Sequence, residues 1–84
     1  MRQIDGKYKT SGTITKLDDT PLPVDEPLVL FRGHDKVLPE LLEAYKELCR
    51  KAGSPAQHLD SIDRLNQEIK LWQSANSDKT KVAD

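Results

Sequence analysis

Asp35-Lys36-Val37-Leu38-Pro39-Glu40-Leu41-Leu42-Glu43-Ala44-Tyr45-Lys46-Glu47-Leu48-Cys49-Arg50-Lys51-Ala52-Gly53-Ser54-Pro55-Ala56-Gln57-His58-Leu59-Asp60-Ser61-Ile62-Asp63-Arg64-Leu65-Asn66-Gln67-Glu68-Ile69-Lys70-Leu71-Trp72 is the stretch on which the fold turns. Its apolar residues recur at helical intervals in two blocks split by Gly53-Ser54-Pro55, which predicts an antiparallel helical hairpin with helices over 35–52 and 55–73. In the first block Val37, Leu38, Leu41, Leu42, Tyr45, Leu48, Cys49 and Ala52 share one side, and Glu40, Glu43, Lys46, Glu47, Arg50 and Lys51 take the other. Asp35 is the expected N-cap, Pro39 falls in the first turn where its missing N–H costs nothing, and Gly53 is placed to end the helix. Acidic residues near its start and Arg50 and Lys51 near its end agree with the helix dipole.

The second block opens on Ser54-Pro55-Ala56-Gln57, the pattern of a capping box with proline at the first helical position. Leu59, Ile62, Leu65, Ile69 and Trp72 then form a narrow seam suited to one flanking helix. From Ser74 to Asp84 the chain is polar, and the tail is expected to fray.

Residues 1–34 read as an extended arm, because Gly6, Gly12, Pro21, Pro23 and Pro27 exclude a long helix. Alternation and β-branched content predict one or two short strands, over 13–17 and 28–32. The link from Asp18 to Pro27 is stiffened by proline and is too long for a tight hairpin.

The fold class is therefore mainly α, one small domain over residues 1–84. Leu, Ile, Val and Phe make up only 20 of 84 residues, so a monomer would be marginal and needs a disulfide, a metal or self-association. Cys49 alone makes no internal disulfide, and one Cys with His34 and His58 falls short of a structural zinc set. A homo-oligomer is the remaining expectation, with no cofactor and no metal. The net charge of −1 gives no reason to expect nucleic acid or an anionic membrane as partner. No apolar run reaches membrane-span length and the start lacks a signal peptide's apolar stretch, so the chain is read as cytosolic.

Two clusters suit an anion. Arg32-Gly33-His34-Asp35-Lys36 meets a helix start, where unpaired N–H groups and the dipole favour negative charge; Asp35 opposes it. Lys7-Tyr8-Lys9 sets an aromatic ring between two cations, as base-stacking sites do. Lys7, Tyr8, Lys9, Arg32, His34 and Lys36 are thus the candidate ligand-binding residues, and the same residues also read as a capped turn and a solvated arm. Trp72, at the end of the seam, reads first as a core or interface anchor. No catalytic residues stand out: Cys49 lies on the apolar side of its helix, and neither a paired-carboxylate nor a nucleotide-loop motif is present, so an enzyme is not expected.

The run Asp25-Glu26-Pro27-Leu28-Val29-Leu30-Phe31-Arg32-Gly33-His34-Asp35-Lys36-Val37-Leu38-Pro39, with Tyr45, Ala52-Gly53-Ser54-Pro55 and Ile69-Lys70-Leu71-Trp72-Gln73 after it, resembles small phage and prophage proteins. In size and lack of catalytic machinery the chain is also similar to anti-CBASS cyclic-nucleotide sponges. That resemblance implies an anti-defence protein that sequesters a cyclic nucleotide or ADP-ribose derivative at subunit interfaces, in the host cytosol, without cleaving it. The alternative is a small helical module that inhibits a host or phage protein through the Leu59–Trp72 seam.

Overall fold

A computed structural model describes residues 14–82, and the backbone alone of residues 2–3 and 9–10. Contacts divide the chain into two units, Met1–Leu30 and Phe31–Asp84. In the first unit, β1 (Arg2–Gln3) pairs antiparallel with β2 (Lys9–Thr10), Arg2 facing Thr10 and Gln3 facing Lys9.

The expected strand at 13–17 is replaced by a tight loop, with Thr13 outside the described residues. The Leu22 N–H donates to the Ile14 carbonyl at 3.2 Å and the Lys16 N–H to the Thr20 carbonyl at 2.8 Å, flanking a single Thr15–Pro21 bridge. Asp19 makes the reversal possible at φ 69°, a left-handed conformation that Asp tolerates better than most side chains. The Asp18 carboxylate accepts the Thr20 N–H at 3.0 Å, and the Thr20 side chain, together with that N–H, holds its pKa below the ordinary value. The reversal lies within the link read from Asp18 to Pro27, whose first residues fold back on Ile14–Lys16. Residues 28–32 form no strand either, and the Arg32 carbonyl instead accepts the Asp35 N–H at 3.0 Å in a turn.

The second unit is the helical hairpin. α1 (Leu38–Lys51) and α2 (Ala56–Ala75) pack antiparallel, Glu43 meeting Lys70 near one end and Cys49 meeting His58 near the other. Gly53 ends α1 at φ 88° with the two bonds of a Schellman motif, its own N–H to the Arg50 carbonyl at 3.1 Å and the Ser54 N–H to Cys49 at 3.0 Å.

The starts of both helices depart from expectation. α1 begins at Leu38 with Val37 in the capping position, because the Asp35 carboxylate accepts the Val37 N–H at 3.1 Å and spends its acceptor on a turn before the helix. The Ser54–Gln57 capping box does not form. Pro55, extended at φ −66° and ψ 153°, occupies the cap, and its carbonyl takes the His58 and Leu59 N–H groups, leaving Ser54 one residue too early. The tail also differs: α2 continues to Ala75, and the chain then turns and docks on the start of the hairpin. No described helix is long and apolar enough to cross a membrane.

The interface keeps Leu59, Ile62 and Ile69 of the seam read in the sequence and replaces Leu65 and Trp72 by Asn66 and Gln73. On α2 the inward positions are Leu59, Ile62, Asn66, Ile69 and Gln73, whereas Leu65 is 51% and Trp72 41% exposed. The steps of 3, 4, 3 and 4 follow one face, while Leu65 and Trp72 each lie one position to its side. Asn66, 2% exposed, donates to the Pro39 carbonyl at 3.3 Å and to Glu43 Oε1 at 3.0 Å. Lys46 Nζ bonds Asp63 Oδ2 at 2.6 Å, and that bond raises the lysine's pKa. Its contribution is whole below the ordinary lysine value and is lost as pH rises through the raised one.

The packed apolar core is correspondingly small, with Leu38 and Ile62 its buried apolar members among the described residues. Ile62→Ala is expected to cost about 2–4 kcal/mol. Leu65→Ala should cost less than about 1 kcal/mol. Urea titrations of both variants check the seam; equal losses would place Leu65 inside it.

Candidate functional site

A groove of about 280 Å³ lies between the turn that precedes α1 and the side of α2. Arg32, Gly33 and His34 form one wall, and Leu65, Glu68, Ile69 and Trp72 the other. On α2, Leu65 and Trp72 are seven residues apart and so share a face, with Ile69 closing the floor and Glu68 at the rim.

The turn is held from two directions. Gln73 Nε2, one residue beyond Trp72, donates to the Gly33 carbonyl at 2.9 Å and to the Asp35 carbonyl at 2.7 Å. From the other direction the tail returns: Asn76 Nδ2 donates to the Trp72 carbonyl at 2.9 Å and Thr80 Oγ1 to the Asn76 carbonyl at 3.0 Å, which shapes the reversal. Lys81 then pairs with the turn in parallel fashion, its N–H donating to His34 at 3.0 Å and its carbonyl accepting the Lys36 N–H at 2.8 Å. Asp35, buried at 8% exposure, sits at the centre of these bonds.

Of the six candidate binding residues, the structure brings Arg32 and His34 to one groove. Lys36 is exposed and does not line it, its backbone being taken by Lys81. Lys7 and Tyr8 lie outside the described residues, and for Lys9 only the backbone in β2 is described. The His34 Nδ1 is buried without a hydrogen-bond partner. Glu68 lines the same groove as Arg32 and His34, so the lining carries both signs of charge beside the apolar Leu65, Ile69 and Trp72.

Leu65, Ile69 and Trp72 stand in the seam that the sequence offers to a partner, whereas Glu68 carries no signal there as a wall residue. Gln73 and Lys81 carried no signal, since an amide side chain and a tail lysine read as solvated until their backbone partners are placed beside them.

At the other end of the hairpin Cys49 Sγ lies 3.9 Å from His58 Nε2, and the Tyr45 ring meets the His58 ring edge-on with centroids 6.3 Å apart. Among the described residues no three His, Cys, Asp or Glu side chains gather as a metal set would require.

No known protein family, curated protein or solved structure matches the chain.

Gln73→Ala removes two bonds to the turn, each worth about 0.5–1.5 kcal/mol net. The expected outcome is a loss of about 1–3 kcal/mol by urea titration, with faster hydrogen exchange at the Lys36 and Lys81 amides. Unchanged exchange there would show that the tail alone holds the turn.

Proposed function

We propose that this protein is a small helical interaction module that binds another protein through the groove beside Trp72 and performs no chemistry on it. The observation that carries the reading is Trp72, a large aromatic left 41% exposed at the lip of an apolar groove whose rim holds Arg32, His34 and Glu68. Interfaces are built this way, around a partly desolvated aromatic anchor with polar groups at the edge. An apolar side chain on a partner helix would enter the groove over Leu65 and Ile69, with Arg32 and Glu68 selecting its charged neighbours. We take the target to be a host or phage protein, as the resemblance drawn from the sequence would imply, and blocking that target requires affinity alone.

The nucleotide-sequestering reading has less support from the same groove. A phosphate is held where cations converge, and here Glu68 shares the lining with Arg32 and His34 while Lys36 lies outside it.

The test compares the wild-type protein with Trp72→Ala and Glu68→Arg in quantitative capture of host proteins, alongside thermal melts of each variant. Loss of a hot-spot contact of about 2 kcal/mol weakens binding about 30-fold. The expected result is a captured protein lost from both variants, whose melts stay cooperative, and no change in wild-type Tm with cyclic nucleotides or ADP-ribose. A nucleotide at about 100 times its Kd would instead raise Tm by about ten degrees or more. Such a shift, abolished by Arg32→Ala, would overturn the interaction reading in favour of sequestration.

A further inference from the structure

α1 carries a second seam that α2 does not cover. Val37, Leu41, Ala44, Tyr45, Leu48 and Ala52 run along the helix beside the Leu42, Lys46 and Cys49 face packed on α2, and every one of them is exposed, Leu48 by 64%. No charge interrupts the stripe, because Glu40, Glu43, Lys46, Glu47, Arg50 and Lys51 all fall elsewhere on the helix. The ion pairs Lys46–Asp63 and Glu43–Lys70 lie along one side of the hairpin, and the Tyr45–His58 contact along the other, where the stripe begins.

The spacing of the stripe is the same from either end: 4, 3, 1, 3 and 4 residues from Val37 to Ala52. A two-fold axis between Ala44 and Tyr45 would therefore set Leu41 against the partner's Leu48, Val37 against the partner's Ala52, and small Ala44 against the partner's Tyr45. Such self-complementarity is what an isologous pair requires. Charge selects the same arrangement. Glu40 lies in the first turn of α1 and Arg50 and Lys51 in the last. Antiparallel pairing brings each acidic start to a basic end and opposes the two helix dipoles, whereas parallel pairing sets like against like. Neither Glu40 nor Lys51 makes a close ion pair within the described chain, although the Lys51 charge also acts on Glu47 one turn earlier.

We infer that a second copy of this chain covers the stripe, α1 packing antiparallel on the partner's α1 about a two-fold axis at Ala44 and Tyr45. The pairing supplies the apolar burial that a core built on Leu38 and Ile62 lacks. It uses a surface separate from the groove at Trp72, so its success or failure is independent of the proposed target binding.

Sedimentation equilibrium of the intact chain over a range of concentrations tests this. Wild type is expected to reach twice the 9.5 kDa chain mass. Leu48→Asp would force two carboxylates into the pair and raise its Kd more than about a hundredfold. In case Leu48→Asp fails to fold, surface charge reversals decide. Glu40→Lys or Lys51→Glu alone should weaken the dimer about fivefold, and the two together should restore it. A parallel pair would be indifferent to each reversal, since like charges already face each other there. A wild-type monomer at every concentration overturns the inference. So does a dimer insensitive to the reversals, or one in which the double reversal fails to rescue.

Discussion

A helix buries only the arc that its neighbour covers, and the mismatch of two such arcs governs this molecule. α1 is apolar around nearly half its circumference, from Leu42 through Tyr45, Leu41 and Leu48 to Val37 and Ala44. α2 offers one narrow face, and two of its five inward positions are the amides Asn66 and Gln73. The face of α1 that meets α2 likewise includes Lys46, neutralised by Asp63. Polar groups at such positions contribute little net burial but specify which faces meet. The hairpin is thus well determined in register and poor in buried apolar area, and it retains apolar surface on both helices for use elsewhere.

Gln73 links that interface to the groove. An amide at an inward position of α2 could have been a liability, and here it serves two carbonyls of the turn before α1. The turn then stands against Leu65, Ile69 and Trp72, and its backbone edge accepts Lys81 from the tail. The exposure of Trp72 follows from this geometry: the position beside it faces inward, so the indole stands at the side, against Arg32 and His34 and half in solvent. Apolar floor, mixed charge and an aromatic anchor arise together from one register.

Several features were legible in the sequence because their causes are local. The two helices follow from apolar periodicity, the break from Gly53 and its positive φ, and the absence of any membrane-spanning helix among the described residues from composition. The cap at Asp35 was half legible: its carboxylate does accept a nearby N–H, but that of Val37, one residue before the helix begins. The loop at Ile14–Leu22 is not legible in its prolines, because the reversal depends on Asp19 entering the left-handed region.

What the sequence determined by itself is the pair of helices, the sharp turn between them and the apolar arc of α1, since each depends on residues within a few positions of one another. Which arc of α2 turns inward was decided only by the tertiary structure. Leu65 and Trp72 are more hydrophobic than Asn66 and Gln73, so burial alone favours the seam read from the sequence. The observed face, one position to the side at 66 and 73, prevails because Asn66 and Gln73 find carbonyl and carboxylate partners on residues 23 to 40 positions away. Such partners exist only once the chain has folded back on itself.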